Sequence, residues 1–393
     1  MDTPMHPLAP QALPETPKQG KTKAIVLQAL IGAIAGAGGT VLVLEILPDN
    51  DGMSIALLVV ALLLSGWLHI LVHEAGHAVA GLSVGMQPLA YGIGPVRFER
   101  SGTGWRTRWA GGIEGIGGFA ALMPRADRPP SLRGQAIYLV GGVTANLLAA
   151  GLAIAAVTTI ADHPWTVITL SAFAVMGVVL AAVNLCPFES GGWLSDGAGL
   201  RELRRDPAHA LDGLRVQQVV QASMQGVRPR DWSEALLPTA ALPDPETASS
   251  AAVMAVLLRM ARAEDCGDRA EAEACAALLA AHWPHAKAPF RPGIALTMAS
   301  FAIVWLDDVA LAKAWRPLGV GGLLDQTTHE AWLDAEIAAR EGRTDDARAL
   351  LAKAREALPR VHDGASRVVL AEYLHRLEAR VAAAPSEGDV KQT

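Results

Sequence analysis

His73, Glu74 and His77 stand as His-Glu-Ala-Gly-His inside a long apolar run. Residues four apart on a helix share a face, so both imidazoles can reach one ion. Glu74 lies beside them, placed to act as a base toward a metal-bound water. Ionisable groups inside an apolar span are costly to bury, and their presence there points to function. The bland alternative is a pair of core histidines satisfied by their neighbours.

A catalytic zinc site needs three protein ligands and a water. The end of the last long apolar run reads Asn184-Leu185-Cys186-Pro187-Phe188-Glu189-Ser190-Gly191-Gly192-Trp193-Leu194-Ser195-Asp196-Gly197. Asp196 is the preferred third ligand, and Glu189 competes with it as a second carboxylate at the same end of the run. An N-cap opening a following helix is the other role open to Asp196. Asn146 and Asn184 lie in apolar segments and need hydrogen-bond partners. Each suits either a polar clamp between helices or a group that holds a substrate backbone. His69, one turn before His73, reads as a buried polar residue paired within the bundle or as a support for the site.

Four stretches are long enough to cross a bilayer, which takes about 20 helical residues. They are 24–47, 54–83, 133–161 and 164–187, and the histidine motif falls in the second. Lys18, Lys21 and Lys23 precede the first. Arg97, Arg100, Arg106, Arg108, Arg125 and Arg128 lie between the second and third, and Arg201, Arg204 and Arg205 follow the fourth. The other two connections offer Asp49, Asp51 and Asp162 but no Lys or Arg. The bias of positive charge places both termini in the cytoplasm. Within 84–131, residues 91–100 and 104–109 read as short strands about a Ser101-Gly102 turn. A glycine-rich run from Gly111 to Gly118 then ends in Phe119. This region is either a surface hairpin with a loop or a sheet edge that pairs with an extended substrate.

Composition divides the chain. Of its 393 residues 51% are hydrophobic, and the mean hydropathy is +0.28. Most of the apolar excess lies in 24–187, whereas 200–393 has the composition of a soluble helical domain. Residues 1–23 are polar and proline-bearing and read as a disordered tail. The net charge of −6 argues against nucleic acid, which calls for a clustered basic face. Cys186, Cys266 and Cys275 form no CxxC pair, so no cysteine metal site or disulfide framework is indicated. Residues 201–247 form a helical connector, with an amphipathic helix at 211–222 and a linker marked by Pro238, Pro243 and Pro245. Over 248–393, helix–turn–helix units turn near Gly267-Asp268, Asp307-Asp308 and Gly342-Arg343. Spacings of about 40 and 35 residues fit a tetratricopeptide-like array, with an ordinary helical bundle as the alternative. The fold class is therefore an α-helical polytopic membrane domain of about four spans with a β-loop insertion over 84–131, followed by an all-α, tetratricopeptide-like soluble domain.

HEAGH in an apolar helix, GIGGF at 115–119, GGVTAN at 141–146, and NLCP at 184–187 followed by SDG at 195–197 resemble the site-2 protease family of intramembrane zinc metalloproteases. The resemblance covers roughly 54–200. It implies that His73, His77 and Asp196 bind one Zn2+ and that Glu74 is the general base. It implies that Gly117, Gly118 and Phe119 belong to a membrane-associated β-loop, and that Asn146 and Asn184 handle substrate. The chain departs from the family pattern in the longer gap before Asp196 and in lacking room for a PDZ domain between the second and third spans. The expected activity is hydrolysis of peptide bonds in or beside membrane segments of single-pass proteins. The helical C-terminal domain would receive a protein or peptide partner. Alanine-, glycine- and arginine-rich composition suggests a bacterial plasma membrane. The rival is a non-catalytic membrane adaptor that works through the helical domain.

Overall fold

The computed structural model describes residues 6–13, 52–101, 104–109, 117–159, 163–190, 193–237, 250–321 and 325–383. The chain is mostly helical and forms two compact units, one from 16–99 and 106–211, the other from 1–15, 100–105 and 212–393.

Among the described residues the first unit holds three helices long and apolar enough to cross a membrane: α1 (Gly52–Ser83), α2 (Leu132–Thr159) and α3 (Pro164–Leu185). The first predicted span, 24–47, lies outside the described residues. These helices carry large apolar side chains outward, with Leu63, Val79 and Leu152 each at least 69% exposed. Water would penalise that surface and lipid would not, which is the pattern of a membrane protein. Inside the bundle small residues let the backbones approach. A Cβ on Gly141 would lie 2.6 Å from both Ala80 Cβ and Gly76 O, so α1 and α2 cross at the glycine of the histidine motif itself.

The helix ends follow from local chemistry. After Ser83 the chain turns through Gly85 at φ +81°, which few side chains tolerate. Gly85 N–H donates to Leu82 O at 3.0 Å and Met86 N–H to Gly81 O at 2.9 Å, closing the helix in a Schellman motif. Pro164 opens α3, where its missing N–H costs nothing, and Pro187 follows the end of that helix.

Between α1 and α2 lie β1 (Gln87–Ile93), β2 (Val96–Ser101), β3 (Gly104–Trp109) and β4 (Gly118–Met123), in the order β3-β2-β1-β4. The single strand expected over 91–100 is two strands, because Gly94, at φ +53°, and Pro95 turn the chain back. The register pairs Tyr91 with Phe98 on one side of β1 and with Ala120 on the other, both antiparallel. β4 was hidden in the glycine run and forms the edge of the sheet nearest the histidine motif. α4 (Asp196–Arg205) follows the short hairpin β5 (Glu189–Ser190) and β6 (Trp193–Leu194).

In the second unit α5 (Pro207–Met224) carries Val216 and Val219 into a small core with Trp232, Leu237, Ala255 and Leu258. The proposed linker at 238–249 lies outside the described residues. Three helix pairs follow: α6 (Ser250–Cys266) with α7 (Arg269–His282), α8 (Arg291–Trp305) with α9 (Val309–Trp315), and α10 (Thr327–Arg340) with α11 (Thr344–Ala357). Their turns contain Gly267, Asp307 and Gly342 at positive φ, the positions that the sequence marks. Asp268 and Asp308 cap the next helices by accepting from Glu271 N (3.1 Å) and Leu311 N (2.8 Å). Ala331, Ala335, Ala338, Ala347 and Ala354 are at most 2% exposed, so the recurring alanines are the packing surface of the third pair. α12 (Gly364–Ala383) closes the unit.

Residues 6–13, expected to be part of a disordered tail, have a definite place in this second unit. His6 O accepts from Ala9 N at 2.8 Å, making a turn about Pro7, and Leu8 and Ala9 pack on the main core. Low hydrophobicity argued for disorder, but a few apolar residues and free carbonyls suffice where another surface supplies the partners.

Candidate metal centre

His73 and His77 lie one turn apart on α1, at 7% and 5% exposure. Their Nε2 atoms are 3.1 Å apart. Asp196, the first residue of α4, brings Oδ2 to 3.1 Å from His73 Nε2 and Oδ1 to 3.3 Å from His77 Nε2. The three residues form a group that could hold a metal ion. Ligand atoms about 2.0–2.1 Å from a tetrahedral zinc are about 3.3 Å from one another, close to these separations.

Hydrogen bonding on the far side of each ring fixes which nitrogen carries its proton. His77 Nδ1 is 2.7 Å from Tyr138 O. A carbonyl only accepts, so the proton is on Nδ1, and the neutral ring turns an Nε2 lone pair toward Asp196. His69 Nε2 is likewise 2.9 Å from Phe173 O and must donate, which leaves His69 Nδ1 an acceptor. Asn146 Oδ1 lies 3.1 Å from His69 Nδ1, and Asn146 Nδ2 lies 3.4 Å from His73 Nδ1. With both rings neutral the amide must be turned end for end, NH2 toward His69 and oxygen toward His73. His73 then carries its proton on Nδ1 and also presents an Nε2 lone pair. With both rings neutral, two lone pairs and a carboxylate face each other. Asp196 Oδ2 is buried without a hydrogen-bond partner. A cation at the centre would convert this repulsion into coordination.

The neighbours explain why the sequence needs its small residues here. A Cβ on Gly142 would lie 2.6 Å from His73 Cε1 and 2.6 Å from His77 Nε2. A Cβ on Gly177 would lie 2.6 Å from His69 Cε1. A Cβ on Gly197 would collide with the backbone of Leu185, so only glycine lets the start of α4 press against the end of α3. Ser195, not Asp196, caps α4: its Oγ accepts from Ala198 N at 3.2 Å and donates to Cys186 O at 2.7 Å. Phe188 N–H also donates to Ser195 Oγ, at 3.1 Å. The longer gap before Asp196 is taken up by the β5–β6 hairpin, which pairs Glu189 with Leu194 and returns the chain to Ser195.

Glu74 lies beside the cluster without being one of its three converging groups, and the Ala120 backbone hydrogen-bonds its carboxylate. A Cβ on Gly118 would come within 3.2 Å of Glu74 Cγ, so β4 runs directly against this side chain. Tyr138 Oη donates to Ala120 O, which ties the middle of the β4 edge to α2.

Comparison with known proteins returns no match. No family model fits the chain, and no curated protein or solved structure is significantly similar to it.

Of the residues singled out by sequence, the structure brings together His73, His77, Asp196, Glu74, Asn146 and Gly118. Gly117 lies beside Gly118, where a Cβ would meet Ile70 at 2.9 Å. Phe119 takes the other face of the sheet and lays its ring over Gly92. Asn184 donates to Leu180 O, one turn back in its own helix, at 2.9 Å. Glu189 lies in β5, outside the histidine cluster. Gly142 stands in the GGVTAN segment but was not singled out, and Tyr138 and Gly177 carried no motif that a reader of sequence would weight. Their signal is spacing alone: one turn before Gly142 on α2, and opposite His69 on α3.

Proposed function

We propose that the chain is an intramembrane zinc metalloprotease that hydrolyses peptide bonds in or next to membrane-spanning segments of other proteins. The observation that carries this reading is the convergence of His73 Nε2, His77 Nε2 and the Asp196 carboxylate beside a glutamate outside that group. A structural zinc site fills all four positions with protein ligands, whereas three ligands leave one position for chemistry. A bound divalent cation supplies Lewis acidity toward a scissile carbonyl and a water.

The chain's own residues do the rest. Tyr138 O holds His77 in the tautomer that leaves Nε2 free, and Asn146 with its amide oxygen toward His73 would do the same there. Glu74 takes a proton from the attacking water at its carboxylate and passes it to the leaving amine. The β4 backbone near Gly117 and Gly118 offers an edge to an extended substrate. At Ala120 that edge is already engaged by Tyr138 and Glu74.

Four crossings with both ends on the cytoplasmic side fit two independent facts. Lysine and arginine cluster on one set of connections, and residues 6–13 are bonded to the C-terminal unit, which supports both ends lying on one side of the bilayer. The three described spans between them would separate the ends. An odd further crossing, for which 24–47 is the apolar candidate, restores the parity. The composition favours a bacterial plasma membrane. The helix pairs of the C-terminal unit are read as a tetratricopeptide-like array that receives a protein or peptide partner.

The test is a map of membrane-protein N-termini in cells carrying the wild-type chain or Glu74→Gln at equal abundance. New N-termini inside or beside membrane segments are expected to vanish in the variant. Identical maps would overturn the reading in favour of an adaptor.

A further inference from the structure

The second unit contains two buried tryptophans whose indole N–H groups point at the same short peptide. Trp315 is fully buried and Trp283 is 3% exposed, and their rings meet edge to face at 5.2 Å. Trp315 Nε1 donates to Leu8 O at 2.8 Å and Trp283 Nε1 donates to Gln11 O at 3.2 Å. The two carbonyls are three residues apart, so the pair reads backbone at a fixed spacing and leaves the side chains to provide selection. Leu8 and Ala9 supply it by packing on the core of the helix pairs. The turn about Pro7 presents them, held by Ala9 N to His6 O at 2.8 Å and Leu8 N to His6 Nδ1 at 3.1 Å. Residues 6–13 contain no charged Asp, Glu, Lys or Arg.

We propose that this tryptophan-lined groove is a peptide-binding site that holds residues 6–13 of the same chain as an exchangeable ligand. A partner protein binds there by presenting an uncharged, proline-bearing segment with an aliphatic residue in place of Leu8, and it must displace the tail to do so. Exchange is reasonable on the contacts themselves. His6, Pro7, Gln11, Ala12 and Leu13 are exposed, and only Leu8, Ala9 and Pro10 are partly covered. Two bonds from tryptophan to backbone and the packed side chains of Leu8 and Ala9 hold the segment. When it leaves, two buried donors lose their partners, and that favours rebinding of a similar backbone over an empty groove. Tryptophan anchors with a polar tip suit recognition of this kind.

The proposal does not depend on the metal centre. It is tested with a fluorescent peptide of residues 1–15 titrated against the detergent-solubilised chain lacking residues 2–15 and against the full chain. The truncated chain is expected to bind the peptide saturably. The full chain should bind it at least tenfold more weakly, because its own tail fills the site. A Leu8→Asp peptide and a Trp315→Phe truncated chain should each lose at least tenfold, and Glu74→Gln should change nothing. No binding to the truncated chain, equal binding to both chains, or full binding of the Leu8→Asp peptide would each overturn the proposal. Should the truncated chain fail to fold, Leu8→Asp in the full chain serves instead. Limited proteolysis within residues 1–15 should then run at least tenfold faster than in wild type, and an unchanged rate would overturn it.

Discussion

Gly142→Ala is the sharpest perturbation of the candidate metal centre, since it replaces neither a proposed ligand nor the proposed base. The added Cβ would lie 2.6 Å from both His73 Cε1 and His77 Nε2, against an ordinary contact of at least 3.4 Å. The rings or α2 must therefore give about 0.8 Å, the difference between those two distances. Metal sites tolerate errors of about 0.2 Å in ligand distance. Packing one extra methyl against rigid neighbours costs about 1–3 kcal/mol. Displaced outer supports alone weaken metal affinity by about 10–100-fold, and a displaced ligand is expected to reach at least the upper end of that range. The assay is zinc affinity by competition with a chromophoric chelator, with helix content followed by circular dichroism. Gly151→Ala is the control: it lies on the same helix, nothing lies within 4 Å of its Cβ position, and alanine favours helix by about 1 kcal/mol. Wild-type zinc affinity in Gly142→Ala would refute the packing argument, and so would an equal loss in Gly151→Ala.

Asp196→Asn keeps shape but removes the carboxylate and should lower zinc affinity by at least tenfold, whereas Glu189→Gln should leave it unchanged, both read by the same competition. Asn146→Leu frees His73 to take the wrong tautomer and should cost about 10–100-fold in zinc affinity, with the shift in His73 visible in its ring 15N resonances. His329 provides a pH signature in the helical unit. Burial, aided by the Arg316 charge, lowers its pKa to about 4, so the folded state holds it neutral. The unfolded chain takes up the proton near pH 6.5, so this contribution to stability is complete above pH 6.5 and is lost as pH falls toward 4. The difference in pKa corresponds to about 3 kcal/mol at most. His329→Gln should flatten the pH dependence of tryptophan-monitored unfolding across that window, and an unchanged slope would show that the group does not contribute.

The histidine motif was legible because helical periodicity turns a spacing of four into one face. The three turns of the helical unit were legible because Gly267 and Gly342 favour positive φ and Asp268 and Asp308 cap helices. Asp196 could be preferred over Glu189 but not decided. What brings Asp196 to the histidines is Ser195 taking the cap and Gly197 admitting Leu185, both facts of tertiary packing. The partners of the imidazoles were illegible for a related reason. Tyr138 contributes its backbone carbonyl, which any residue possesses, and Gly142 contributes only the absence of a side chain. β4 was obscured because glycine is a poor strand former, yet close approach to Glu74 and Ile70 requires it. The placement of residues 6–13 was not legible because composition reports what a segment can bury by itself, not what Trp283 and Trp315 offer it.

The most direct test uses the purified chain in proteoliposomes with a single-pass membrane protein identified from the N-terminal maps. Metal is stripped with a chelator and one equivalent of zinc is restored, for wild type and for Glu74→Gln. The expected result is one zinc bound by both proteins, cleavage by the zinc-loaded wild type alone, and a cut within or beside the membrane segment. Cleavage that persists in Glu74→Gln or without metal would contradict the assignment of His73, His77 and Asp196 as a catalytic metal centre.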